Sequence, residues 1–248
     1  VNGDEARVPP IKISKRESQF VPTNIIALIK DSIVEENDDY IAINKPEGIA
    51  SHGGSGISIG VIETIRNFGK FYRDAKLVHR LDKDTSGCQI IAKNNNFLRR
   101  CNKLISERKV KKTYQAIVHG DWIHKDGFYE ISIKKNMLIG KERVVKMSEG
   151  GKIAQTFFQA IESSNHYSLI QCELITGRTH QLRVHLSELG FPIVGDKKYG
   201  TKEYKHPNGL DLKKRMYLHA ASFISKDLNI NISVKPPKEF KKILKNDE

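Results

Sequence analysis

Asp82 stands among cationic and hydroxyl side chains in the run His79-Arg80-Leu81-Asp82-Lys83-Asp84-Thr85-Ser86-Gly87. Apolar Leu77-Val78 leads into this run and Cys88-Gln89-Ile90-Ile91-Ala92 leads out, so the polar loop is expected between buried strand-like segments. Loops fixed by a rigid scaffold commonly carry chemistry, and a carboxylate placed in one can act as a nucleophile. A second cluster of polar and cationic side chains occurs at Gly177-Arg178-Thr179-His180-Gln181-Leu182-Arg183-Val184-His185. Its His180 and His185 stand five apart, the wrong step for two ligands on one helical face, and no His-Glu-x-x-His occurs. Gly195-Asp196-Lys197-Lys198-Tyr199-Gly200-Thr201-Lys202 has Walker-A glycine spacing but ends Thr-Lys, and Gly54-Ser55-Gly56 lacks the third glycine of a dinucleotide loop. The expected chemistry therefore uses neither metal nor cofactor.

Short strand-like runs and a few helices must position these residues. The pattern predicts strands at Tyr40-Asn44, Cys88-Lys93, Thr113-Val118, Arg143-Met147, Ala154-Ala160, Tyr167-Leu174 and Asn229-Val234. Helices are expected at Gly60-Phe68, Asn96-Lys109 and Thr179-Leu189, with another after Pro236-Pro237. Strands outnumber helices and often follow one another directly, which predicts an α+β domain with a central mixed, largely antiparallel sheet flanked by helices. In the strand around Tyr114, alternation puts Lys112, Tyr114 and Ala116 on one face. A helix from Thr179 would bury Leu182, His185, Leu186 and Leu189, with Arg183 beside them. Residues 1 to 23, rich in proline and charge, read as a separate extended connector, and residues 24 to 248 as the main domain.

The chain has 248 residues and a formal net charge of +13. That excess of Lys and Arg favours a polyanionic partner, because a nucleic acid releases counterions on binding; charge alone fits a lysine-rich soluble protein equally well. Cys88, Cys101 and Cys172 are odd in number and form no C-x-x-C, so they are read as buried small hydrophobes. No apolar run is long enough to cross a bilayer, and the first residues lack the apolar stretch of a signal peptide, so a cytoplasmic protein with a trimmed N-terminus is expected.

The nine residues around Asp82 resemble the active-site signature of the RluA-type pseudouridine synthases. Asn44-Lys45-Pro46-Glu47-Gly48, Lys112-Thr113-Tyr114-Gln115-Ala116-Ile117-Val118-His119-Gly120 and the block from Gly177 to His185 resemble the same family in the same order. Gly195-Asp196 through Tyr199-Gly200 and Tyr217-Leu218-His219-Ala220 extend the likeness over most of the chain from about residue 24. The resemblance implies the pseudouridine synthase fold, and residues 1 to 23 resemble the end of the S4-type RNA-binding domain that precedes it in many members. It makes Asp82 the nucleophile that opens the isomerisation of uridine; whether it attacks sugar or base is left open by the residues.

By the same resemblance Arg183 pairs with Asp82 and keeps it ionised, and an arginine is expected to offer a planar bidentate pairing that a lysine cannot. Tyr114 stacks on the uracil and is a candidate for proton transfer, Leu182 packs near the base, and Arg80 fills the gap left when the nucleotide is extruded. His79 is read as structural, and Thr85, Ser86 and Gly87 as turn residues that fix the loop. His52, Gly53, Gly54 and Ser55 belong to a glycine-rich loop whose amides could cradle an RNA phosphate, though a flexible connector is nearly as plausible. That loop resembles the RluC branch of the family, which acts on large-subunit ribosomal RNA. Arg178 and His180 are placed among the RNA-contacting residues, and Arg99, Arg100, Lys103 and Lys109 are read as a phosphate-tracking helix face. The expected partner is large-subunit ribosomal RNA, bound by a monomer. The alternatives are a synthase acting on transfer or other RNA, and an RNA-binding or ribosome-assembly module without chemistry.

Overall fold

The computed structural model describes residues 20–54, 59–139, 142–200 and 212–245. The expected S4-type remnant therefore lies outside the described residues except for its last four. Eleven strands among these residues form one sheet: β1 Ile33–Glu36, β2 Tyr40–Lys45, β3 Lys76–Leu77, β4 Ser86–Ala92, β5 Lys111–His119, β6 Gly127–Ile139, β7 Glu142–Met147, β8 Lys152–Ser163, β9 Tyr167–Leu174, β10 Leu218–Ser225 and β11 Ile230–Ser233. Among the described residues five α-helices flank them: α1 Thr23–Asp31, α2 Val61–Arg66, α3 Asn95–Ser106, α4 Gln181–Glu188 and α5 Lys238–Lys245. The spatial order is β1-β2-β4-β10-β5-β9-β8-β6-β7, with β3 added to β4 and β11 to β10. The β4–β10 pair is parallel and the other pairings are antiparallel, so the sheet is mixed and largely antiparallel as the sequence predicts.

β4 is buried along its whole length because helices cover both of its faces. Alternation sends Cys88, Ile90 and Ala92, with Tyr40 and Ala42 of β2, toward Phe97 and Cys101 of α3. Ile91, with Ile41 and Ile43, goes instead to Ile29 of α1 and to Val61, Ile62 and Ile65 of α2. Removing isoleucines such as Ile90 and Ile91 from water stabilises the sheet by roughly 1.5–3 kcal/mol each. Farther along the sheet, Ala116 and Val118 of β5 pack with Leu182 and Leu186 of α4, while Ile117 faces Phe240, Ile243 and Leu244 of α5.

Ser86 and Gly87 are already part of β4 rather than of a turn. Gly87 has φ +111, and a Cβ there would collide with the main chain of Ala220, so the parallel approach of β10 requires a glycine. Through this contact Ala220 pairs with Gly87 on one side and with Tyr114 on the other. Tyr114 therefore lies two strand spacings, roughly 10 Å, from the exit of the Asp82 loop.

Several boundaries differ from the sequence prediction by a few residues, and at two helices the backbone shows why. α3 stops at Ser106, and Arg108 takes a left-handed φ of 60° that turns the chain into β5. α4 starts at Gln181 because His180 is itself left-handed, with φ 52°. From Gln181 to Leu186 every residue of α4 is buried, so this short helix has no solvated face in its first turns.

Candidate active site

Asp82 lies in the connection from β3 back to the start of β4, and buried polar groups hold that connection from beneath. Ser51 Oγ accepts from Leu81 N (2.9 Å) and donates to Leu81 O (2.7 Å). Gln89, in the middle of β4, donates to both Ser51 Oγ (2.9 Å) and His79 O (3.2 Å). Lys45 is fully buried, and its ammonium donates to the carbonyls of Pro46, Ile49 and Lys83 at 2.7, 2.7 and 3.1 Å. Burial pushes this lysine down to about 7, against the opposing charges of Asp84, Asp82 and Glu47. Thr85 N closes the loop onto Asp82 O at 3.1 Å. His79 is structural, as expected: it stacks on Phe223 with ring centroids 5.3 Å apart, and its Nε2 accepts from Ile90 N. Burial, with the nearby charge of Lys112, pushes the imidazole down to about 3.

Arg183 of α4 reaches Asp82, with Nη1 donating to Oδ2 at 2.8 Å. The bidentate pairing expected between these two residues is instead made with Asp196, to which Nε and Nη2 donate at 2.7 and 2.8 Å. The two oxygens of Asp196 take the Nε–Nη2 edge of the guanidinium, which leaves Asp82 to meet Nη1 with Oδ2 alone. Asp196 also accepts from the backbone N–H groups of Lys198 (2.9 Å) and Tyr199 (3.1 Å), and the ring of Tyr199 lies 5.0 Å from the guanidinium carbon. Burial opposes the charge on Arg183, but the hydrogen bonds and charge of Asp196, with the charge of Asp82, more than offset it and hold the guanidinium above its ordinary range. Burial likewise works against ionised Asp196, and Arg183 and the two amides overcome it, so its carboxyl is held below the usual range. Asp196 was visible in the sequence only as part of a resembling stretch, with no role attached.

A cleft of about 940 Å³ opens above Asp82. It is lined by Asp82, Tyr114, Arg183, Arg80 and Leu182 together, and by His52, Gly54, Arg178 and His180. Tyr114 is buried in the wall, and its hydroxyl makes no side-chain hydrogen bond among the described residues. Burial, then the neighbouring charges including that of Asp82, push its phenol above the usual range, so it stays protonated. Asp82 Oδ1 accepts no hydrogen bond among the described residues, and His180 Nε2 lies 3.8 Å from Oδ2. His180 is fixed by Tyr199 OH at 2.7 Å, and burial keeps it below the ordinary histidine range despite the pull of Asp82. Arg80 Nη1 meets His52 Nε2 at 3.3 Å.

The glycine-rich loop departs from expectation. Gly53 N donates to Glu63 Oε2 at 2.9 Å, and Gly60 N to the same oxygen at 3.0 Å, so the Gly53 amide is turned toward α2 and is not part of a phosphate cradle. Ser55 lies outside the described residues. On α3, Asn102, Ile105 and Ser106 face the cleft, while Arg99, Arg100 and Lys103 do not. Lys103 and Lys109 are both within ion-pair distance of Glu107, at 3.9 and 3.0 Å. Arg99, Arg100 and Lys103 of the expected phosphate-tracking face therefore lie off the cleft, because α3 buries Phe97 and Cys101 and turns those cations away, while Lys109, beyond the helix, lines a neighbouring hollow.

A mixed sheet that brings the Asp82 carboxylate, Tyr114 and a doubly anchored arginine to one cleft defines a class of enzyme. The model of the family described as RNA pseudouridylate synthase matches residues 39–188, and the chain belongs to that family. Among particular relatives, it is 40% identical over 226 residues to the ribosomal large subunit pseudouridine synthase C of Salmonella typhi, covering 89% of this chain and 70% of that protein. To the protein of the same name from Pasteurella multocida it is 39% identical over 249 residues, covering 97% and 76%. Its fold is similar to the solved structure of human RNA pseudouridylate synthase domain containing 4, with a TM-score of 0.75, 26% identity, and coverage of 90% of this chain and 95% of that one.

Proposed function

We propose that this synthase isomerises uridines of large-subunit ribosomal RNA, with Asp82 as its nucleophile. The observation that carries this reading is the state of Asp82, which lines the cleft: Oδ2 is held by Arg183, while Oδ1 accepts no hydrogen bond among the described residues. The reaction breaks the C1′–N1 bond, turns the uracil while it stays bound and joins C1′ to C5. The C5 proton departs and N1 gains one, so nothing is oxidised or hydrolysed. Oδ1 forms the transient covalent bond to the nucleoside and is released as the carbon–carbon bond completes the product.

Tyr114 offers its ring to the uracil, a role that needs no titration. As a proton acceptor it must first lose its own proton, which its buried setting makes costly. Leu182 packs against the base, and Arg80, braced by His52 at the rim, stands in for the extruded nucleotide. Arg178, His180 and Gly54 line the path of the RNA. The choice of large-subunit ribosomal RNA rests on the names of the relatives and on the net charge of +13, which suits a polyanion. Such a substrate places the work of this enzyme, acting as a monomer without metal or cofactor, in the cytoplasm. Among the described residues no helix is long and apolar enough to cross a membrane.

The test is to incubate parent and Asp82→Asn proteins with large-subunit RNA from cells lacking the gene and to map pseudouridine. The parent is expected to form it at discrete positions and the variant at none. Substantial turnover by the variant would remove Asp82 from the mechanism, and modification of transfer RNA alone would reassign the substrate.

A further inference from the structure

At the α3 end of the cleft, the cations differ in how the protein has paired them. Lys109 and Lys111 have carboxylates, Glu107 at 3.0 Å and Glu173 at 2.8 Å. Lys112, partly buried in the cleft wall two residues before Tyr114, makes no hydrogen bond or ion pair among the described residues. Gly177 leaves it room: the ammonium lies 3.7 Å from where a side chain at that position would begin. Burial holds Lys112 below the ordinary lysine range, with Cys101 opposing, and its charge is close enough to His79 to help keep that imidazole neutral. Arg108, exposed on the left-handed turn between α3 and β5, lines the same end of the cleft and is likewise without an ion pair among the described residues. A second hollow of about 520 Å³ adjoins it, sharing Arg108 and Lys112 in its wall and adding Lys226 together with the carboxylates Glu173 and Asp227.

An ammonium withdrawn from water without an anion is costly, and an anion entering from outside relieves that cost. We propose that Lys112 and Arg108 form a phosphate subsite that binds the RNA backbone next to the nucleotide whose base enters the Asp82 pocket. The proposal rests on the RNA-modifying reading above and adds a direction to it: the strand leaves the cleft over the α3–β5 turn toward Lys226. It does not run along Arg99 and Arg100, which lie off the cleft.

Binding of oligouridylate to the full chain, followed as a function of salt, tests this without requiring turnover. Each single-strand phosphate contact contributes roughly 0.7 to the slope of log affinity against log salt. Lys112→Met and Arg108→Asn are each expected to lower that slope by about 0.7 and to weaken binding several-fold at low salt. A paired Arg99→Gln, Arg100→Gln protein should keep the parent slope. Arg108→Asn retains a residue that tolerates positive φ, so its readout stands even if Lys112→Met folds poorly. Parent slopes in both variants, or an equal loss in the Arg99/Arg100 protein, would overturn the subsite. Because the probe is not the proposed substrate, failure to modify ribosomal RNA and failure of the subsite are separate results.

Discussion

Asp82 and Asp196 share one guanidinium, and their differences divide the work at this site. The Asp196 side chain is 1% exposed and accepts two N–H groups of Arg183 and two of its own backbone turn. The Asp82 side chain is 30% exposed and accepts a single N–H of the same arginine. Asp196 is thus an anchor with its hydrogen-bonding capacity spent, and Asp82 is a reactive group with an oxygen in reserve. An arginine held by the first can orient the second without wrapping it, because its planar fork presents N–H groups along two edges. A lysine, with one point charge on a flexible stem, cannot serve both carboxylates in fixed directions.

The contrast predicts effects of different kinds. Asp82→Asn is expected to lower turnover by on the order of 10⁴-fold or more. It should change stability by less than about 1 kcal/mol, as befits a partly exposed pair. A variant that instead unfolds would make Asp82 part of the frame. Arg183→Lys strikes both carboxylates, so a loss of about 10²-fold in kcat together with roughly 3–5 kcal/mol of stability is expected, read by steady-state kinetics and denaturant melts. Activity near that of the parent would dissolve the shared-guanidinium picture. Asp196→Asn is expected to cost about 3 kcal/mol with a smaller fall in kcat. The sign with pH follows from the lowered carboxyl of Asp196: its stabilising contribution is complete above the ordinary aspartate value of about 3.8 and is lost as pH falls from there through the folded value. Acid melts of the parent should therefore fall more steeply below pH ~4 than those of Asp196→Asn.

How legible these parts are in the sequence depends on whether their partners are local. The Asp82 loop announces itself by a polar run between two apolar ones, and Tyr114 by its place in a resembling block, since alternation along β5 alone suits a core tyrosine. Arg183 is marked by its block, but the acceptor of its fork is not, since Asp196 lies in a separate turn and becomes adjacent only when that turn packs on α4. Lys45, Ser51 and Gln89 leave even less trace. Each is a single polar residue near or within an apolar strand, and nothing in its own segment discloses that it will hold the Asp82 loop, through Lys83 O, Leu81 O and His79 O respectively. The same holds for the helices. α3 shows a cap at Asn94, whose side chain accepts from Phe97 N, whereas α1 has no side-chain cap and its Ile25-Ile26-Ala27-Leu28-Ile29 run carries no period that separates helix from strand. The Gly53 amide was misread because a glycine pattern does not disclose that Glu63, in the first turn of α2, has already taken the donor.

The division between anchor and nucleophile is tested most directly by a double-mutant cycle on kcat with Asp196→Asn and Arg183→Lys. If Asp196 acts on the chemistry through Arg183, Asp196→Asn lowers kcat in the parent and does almost nothing further in the Arg183→Lys background. Losses that multiply independently in the double variant would contradict the account.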